Sequence, residues 1–319
     1  MKDALFGHTA IVLAAVLLDL LLGDPRWLPH PVVLIGRLIT ALEKGLRRIV
    51  QNEWAGGVLL LVLTVGITCG VVLAVIKGAY AVSPYAGFTV AVLFSWTCLA
   101  ARSLHFESRL VADALARGEQ AEARKHLSFI VGRDTEGLDE PEIWRATVET
   151  VAENTSDGVI APLFYLILGG PPLALAYKAV NTLDSMVGYR NERYLRFGWA
   201  SARCDDLLNF IPARLTGLLM VAAAPLIRLS ARAAWRVMRR DGRNHSSPNS
   251  GIPEAATAGA LGVRLGGTNV YSGVSVAKPT IGEPMQQLSL TAYQGAVRLM
   301  YGAEGLLVAG WLVIAAILH

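Results

Sequence analysis

Three ionisable residues recur at every fourth position in the stretch EIWRATVETVAENTSDGVIAPLF: Arg145, Glu149 and Glu153. On a helix they share one face, and Asp157 extends the row if the helix persists. One reading is a salt-bridged face turned to solvent. The other is a pocket at a membrane boundary. The row ends where an apolar segment begins, which aims Glu153, Asn154 and Asp157 at that boundary, and ionisable groups there are costly enough to imply use. A second dense stretch, YKAVNTLDSMVGYRNERYLRFGWASARCDDLLNFIPARLTG, sets Lys178, Asn181 and Asp184 at helical spacing, then Arg203, Asp205, Asp206 and Asn209. Adjacent carboxylates beside an amide suit magnesium, a hard cation that takes oxygen ligands and bridges to phosphate. A helix cap or an ion-pair network is the competing reading. Lys178, Arg190, Arg203 and Arg214 are of the type that neutralises phosphate oxygens. Magnesium ligands are expected among Glu153, Asp157, Asp184, Asp205 and Asp206.

Such residues need elements to hold them, and composition says where these lie. Of 319 residues, 53% are hydrophobic and only 17% charged, with a mean hydropathy of +0.45, far more apolar than a soluble chain. Residues 54–76 and 84–101 are long enough to cross a hydrocarbon layer of ~30 Å at about 1.5 Å per residue. Residues 8–22 and 303–318 are shorter, and each carries one acid, Asp19 and Glu304. The first is read as a retained span, because no small-residue cleavage site follows Leu22. Stretches 159–180 and 207–229 contain Gly169-Gly170-Pro171-Pro172 and Pro212, Arg214 and Pro225, as expected of broken or re-entrant helices. The expected fold is an all-α polytopic integral membrane protein with about four full spans, broken or re-entrant helices and cytoplasmic helical segments.

Lysines and arginines are dense in 23–53 and 102–145, which places both on the cytoplasmic side and 102–302 either there or in re-entrant segments. Between the first two spans, GDPRWLPHP can be neither helix nor central strand. It forms either one wall of a site or a turn that positions an interfacial helix at 32–50, with Trp27 as an interfacial anchor. Helical patterns cover 103–116 and 120–131, joined at Gly118, and a third begins near Pro141. GRNHSSPNSG at 242–251 reads as a flexible, turn-rich linker. The chain is expected to be one membrane-embedded domain over 1–319, with a helical insertion at 102–158, a motif-rich segment at 178–214 and a loop region at 230–302.

Several chemistries lack their signs. Cys69, Cys98 and Cys204 have no paired spacing, so neither a disulfide framework nor a zinc site is indicated. There is no P-loop, dinucleotide, zincin or nucleophile-elbow motif. Basic residues are scattered rather than interleaved with an aromatic platform, and the net charge of +4 fits the inside-positive pattern, so no nucleic-acid partner is expected. His105, His126 and His245 read as hydrogen-bonded surface residues rather than ligands.

The stretches DLLLGDPRWLPHPVVLIGRLI, RDTEGLDEPEIWRATVETVAENTSDGVIAPLFY, YKAVNTLDSMVGYRNERYLRFGWASARCDDLLNFIPARLTG and SPNSGIPEAATAGALGVRLGGTNVYSG, in this order and spacing, resemble the CbiB/CobD family of cobalamin-biosynthesis proteins over nearly the whole chain. Ile252 departs from that pattern, in which an aromatic is expected, and so a stacking role there is in doubt. The resemblance implies an adenosylcobinamide-phosphate synthase of a bacterial cytoplasmic (inner) membrane, its active site cytoplasmic. Its substrates would be ATP, adenosylcobyric acid, and aminopropanol phosphate or ethanolamine phosphate, with Mg2+ as cofactor, the lipid bilayer as surroundings and other membrane enzymes of the pathway as associates. On this basis Lys178, Asp184 and Glu153 are expected to be catalytic. Asp157, Asp205 and Asp206 are expected to hold metal. Asp24, His30, Asn154, Asn181, Arg190, Arg203, Arg214, Asn249, Glu254 and Arg264 are expected to bind substrate. The glycine-rich final motif is either a backbone surface against corrin or phosphate, or close helix packing. A corrinoid transporter, or a subunit associated with one, is the competing function.

Overall fold

Local signals set most of the helix starts. Proline occupies the first turn of the helices beginning at Pro31, Pro84 and Glu140, where its missing N–H costs nothing. His30 Nδ1 accepts from Val32 N at 3.3 Å, Asn52 caps Ala55 at 3.1 Å, Ser83 caps Ala86 at 3.0 Å and Asp139 caps Glu142 at 3.0 Å. The computed structural model describes residues 2–24, 30–189, 191–271 and 273–318, with side chains from residue 5 onward. Arg190, Trp27 and the rest of 25–29 lie outside the described residues.

The order is α1 (Lys2–Leu22), α2 (Pro31–Ile49), α3 (Glu53–Val82), α4 (Pro84–Trp96), α5 (Ala101–Ala116), α6 (Gln120–Ser128) and α7 (Glu140–Asn154), then a π-helical turn (Thr155–Ile160). There follow α8 (Ala161–Val187), α9 (Trp199–Leu208), α10 (Phe210–Ala223), a 3₁₀ turn (Ala224–Ile227), α11 (Ala231–Asp241), α12 (Gly251–Leu261), β1 (Arg264–Tyr271), β2 (Val274–Gly282) and α13 (Leu290–Leu318). Among the described residues, six helical stretches are long and apolar enough to cross a membrane: Leu5–Leu22, Glu53–Val82, Pro84–Ala116, Glu140–Val187, Phe210–Ile227 and Leu290–Leu318. The protein is therefore an all-α polytopic membrane protein with one small hairpin.

The two stretches beyond the four expected spans are those read as broken. The break in the first is present, at Gly169 (φ −146°, ψ 18°) and Gly170 (φ 69°, ψ −166°), but Pro171 and Pro172 restart the helix at once, and its length is kept. In the second, Pro225 sits in the 3₁₀ turn that ends the segment rather than inside it.

The chain forms two compact units. The first comprises residues 1–100, 161–209 and 311–319. In it, α3 packs against α4 and α8, and α1 against α4. At Gly57 the backbone of α3 meets the loop before α9 so closely that an added Cβ would lie 2.0 Å from the Phe197 carbonyl oxygen. Backbone cannot yield as a side chain tip can. Gly57→Ala should destabilise the detergent-solubilised protein by about 3 kcal/mol, the upper end for overpacking; an unchanged unfolding midpoint would contradict this contact.

The second unit comprises residues 101–160 and 210–310. Its core gathers Val111 and Leu115 of α5, Trp144, Val148 and Val151 of α7, Ala255 and Ala258 of α12, and Tyr293 and Met300 of α13. The hairpin is antiparallel, with Leu265 opposite Ile281, both buried, and a bulge between Leu265 and Gly267. Gly266 (φ 78°) and Gly267 (φ 98°) supply the left-handed backbone that the bulge requires. The glycine-rich final motif is thus helix α12 followed by strand β1, and at Gly259 it packs closely on α11, where an added Cβ would lie 2.6 Å from the Ala233 carbonyl oxygen. The expected linker at 242–251 is likewise ordered: Ser247 Oγ accepts from the N–H groups of Asn249 and Ser250 at 3.2 and 3.3 Å.

Candidate functional site

The row on α7 divides into two parts with different surroundings. Arg145 and Glu149 are both buried, not solvent-facing. Arg145 donates to Glu142, to Glu149 at 3.0 Å, to the Gly266 and Thr268 carbonyls at 2.6 and 3.2 Å and to Asn269 Oδ1 at 2.9 Å. Glu149 also accepts from Arg133 and from Gly266 N, while Arg133 donates to Asn269 Oδ1 at 2.6 Å. This network fixes the hairpin to α7. Every charge in it is paired, as a buried ionic group requires.

One turn further, Glu153 accepts from Ser250 Oγ at 2.9 Å and lines a cavity of about 200 Å³. Thr150, Asn154, His245, Glu254, Tyr271 and Lys278 line it as well. Asn154 is oriented by donating to the Thr150 carbonyl at 3.0 Å. Asp157 does not line the cavity, because the π-helical turn changes the helical phase after Asn154 and removes it from the row.

The cavity holds groups of contrasting protonation. His245 Nδ1 accepts from Ser247 N at 3.0 Å, so the proton of the neutral ring lies on Nε2, which is 3.8 Å from Glu254 Oε1. Burial, then the Lys278 charge, lowers the His245 pKa. Burial, then the charges of Glu149 and Glu153, raises the Glu254 carboxyl well above the usual carboxylate range. A raised folded-state value means that the contribution of Glu254 to stability is complete at low pH and is lost as pH rises through that value. Glu254→Gln, which stays neutral, should therefore gain on the wild type as pH increases. Unfolding midpoints measured upward from about pH 4.5, the ordinary value at which the unfolded carboxyl ionises, follow it, and a pH-independent difference over that range would refute it.

The first unit carries a second cluster. Asp205, half-buried on α9, accepts from Asn181 Nδ2 at 3.3 Å and Asn209 Nδ2 at 3.0 Å. Tyr177 donates to Asn209 Oδ1 at 2.8 Å and stacks on Tyr165 with ring centroids 5.1 Å apart. Burial raises the Asp205 pKa, opposed by the two amides and by the Lys178 charge. Lys178 and Asp24 both act electrostatically at Cys98, which brings the opening motif and α8 into one neighbourhood. Asp24 lies 3.4 Å from His30 Nε2. Asp184 is half-buried on α8.

Asp205 and Asp206 diverge: the first faces Asn181 and Asn209, whereas Asp206 lies 3.7 Å from Arg203 NH1. Among the described residues, no group of three or more His, Cys, Asp or Glu is placed to hold a metal ion. Magnesium is often held by one or two carboxylates plus phosphate oxygens and water, so Asp205 fits an ion delivered with a nucleotide and not a cage made by protein alone.

Of the remaining expected residues, Arg214 and Asn249 meet in the second unit, NH1 to Oδ1 at 3.2 Å, with the guanidinium 3.5 Å from the Phe210 ring centroid. Arg264 is exposed at the start of β1 and is not among the cavity residues. The cavity residues that sequence reading missed are His245, Arg133, Tyr271, Lys278 and Asn269. Arg133, Asn269 and Tyr271 lie inside the quoted motifs, whereas His245 precedes the last motif, in the stretch read as a linker, and Lys278 follows it.

The family model described as CobD/Cbib protein matches residues 12–300. The chain is 74% identical over 299 residues to the cobalamin biosynthesis protein CobD of Geobacter metallireducens, covering 94% of each chain. It is 59% identical to the cobalamin biosynthesis protein CobD of Pelobacter propionicus, covering 97% of this chain and 96% of that one. With the cobalamin biosynthesis protein CbiB of Salmonella typhi it shares 50% identity, covering 95% of each. No solved structure matches.

Proposed function

The chain belongs to the CobD/Cbib protein family of cobalamin biosynthesis, and from that premise we propose that it is an adenosylcobinamide-phosphate synthase. It joins adenosylcobyric acid to aminopropanol phosphate or ethanolamine phosphate at the expense of ATP. The observation that supports this reading is the cavity of the second unit, in which an oriented carboxylate, Glu153, faces the same space as Lys278 and a neutral imidazole. At about 200 Å³ it suits the small amine substrate, not the corrinoid.

In the proposed reaction the propionate oxygen attacks the γ-phosphorus and ADP leaves. The amine nitrogen then attacks the acyl carbon, and phosphate departs as the amide forms. Amine attack releases a proton, which Glu153 takes. Lys278 holds the phosphate of the amino alcohol. Lys178 and Asp205 serve ATP. Asp205 would hold Mg2+ delivered with the nucleotide, and the ion would supply charge neutralisation on the phosphates.

The test is chemical. Purified protein in detergent, given ATP, adenosylcobyric acid and aminopropanol phosphate, should release ADP and form the amide, detected by mass. Unmodified adenosylcobyric acid after ATP-dependent incubation would defeat the proposal, and movement of unaltered corrinoid into sealed vesicles would favour transport instead.

A further inference from the structure

We propose that a second cavity of the second unit, formed where the 3₁₀ turn after α10 meets the beginning of α13, binds the phosphate of an anionic phospholipid. The cavity measures about 420 Å³ and is lined by Arg228 and Arg298, with no Asp or Glu. Neither guanidinium has a partner among the described residues. The side-chain amides of Gln286, Gln287 and Gln294 add donors that suit phosphate oxygens.

Arg228 also has an unusual backbone. It is the one non-glycine residue with positive φ, 63°, among those described. A left-handed cap normally favours glycine or asparagine; here Arg228 N–H donates to the Pro225 carbonyl at 3.2 Å and Leu229 N–H to the Ala224 carbonyl at 2.8 Å, so the turn is capped by backbone while the arginine carries the side-chain cost of positive φ.

Lipid is favoured over soluble phosphate by position. Arg228 directly follows the candidate span Phe210–Ile227, and Arg298 lies in the candidate span Leu290–Leu318. Gly302 approaches Ala223 and Gly295 approaches Leu229, so the two segments pass each other antiparallel at this point. Both arginines are exposed. An unpaired guanidinium cannot remain in hydrocarbon, which sets the cavity at headgroup depth. Ile227 and Leu261 give it an apolar side for the acyl chains. Exposed charges alone would hold free phosphate weakly in salt, whereas a lipid is retained by its chains as well.

Native mass spectrometry of the full chain, purified with equal phosphatidylglycerol and phosphatidylcholine, tests this assignment. The wild type should retain phosphatidylglycerol preferentially, and R228Q/R298Q should retain about tenfold less, the scale of one charge-assisted hydrogen bond. R228G separates binding from folding: by relieving the positive φ it should raise the unfolding midpoint while lowering phosphatidylglycerol retention. Equal retention by the double variant overturns the proposal. So does protection of the wild type by inorganic phosphate with no retained phosphatidylglycerol, which marks a soluble-phosphate site.

Discussion

Arg145→Met is expected to destabilise the protein by about 3–5 kcal/mol, the cost of breaking a buried ion pair from one side. Methionine preserves most of the volume and the apolar stem. It removes the donors to Glu142, Glu149, the Gly266 and Thr268 carbonyls and Asn269. Glu149 then relies on Arg133 and Gly266 N alone, and two strand carbonyls lose a charged donor. Arg145→Lys should recover only part of the loss, because an ammonium cannot reproduce the planar fork across several acceptors. Hydrogen exchange in the 264–282 hairpin should rise in both variants, together with a lower unfolding midpoint in detergent. Wild-type protection of the hairpin in Arg145→Met would show that the network does not hold it.

This network also shows what the sequence discloses. Arg145, Glu149 and Glu153 are visible as a row because a helix repeats its face every three to four residues. Their burial is not visible. It depends on Gly266, Thr268 and Asn269, more than a hundred residues later, in a strand that glycines interrupt and whose partner strand is largely exposed. Hydropathy alone located most of the long helices, since length and apolarity are local properties. It did not show that the Gly169–Gly170 break is followed at once by a new helical turn. The helix that would carry the row on to Asp157 does not persist, for a similar reason: a π-helical turn changes the phase and leaves no mark in composition. From sequence His245 reads as a surface residue, because a lone histidine in a polar stretch has no periodic context. Its place is set by Ser247 two residues on and by Glu254 and Lys278 across the cavity.

The expectation with the greatest effect on activity concerns Glu153. Glu153→Gln keeps the size of the side chain and an oxygen to accept from Ser250 Oγ, but it removes the capacity to take a proton. As the base for the amine it should reduce kcat for amide formation by about 10²–10⁴-fold, the usual worth of a positioned proton acceptor. The Michaelis constant for aminopropanol phosphate should change far less, because the phosphate end of that substrate is assigned to Lys278. Lys278→Ala should give the opposite pattern. A lost charge-to-phosphate hydrogen bond of about 1.5–3 kcal/mol corresponds to roughly 10- to 150-fold in apparent affinity, with a smaller effect on kcat. Steady-state kinetics at saturating ATP and adenosylcobyric acid, with the unfolding midpoint measured alongside, separates these roles. If Glu153→Gln turns over like the wild type, the amine is deprotonated by another group, and the neutral imidazole of His245 in the same cavity becomes the residue to replace.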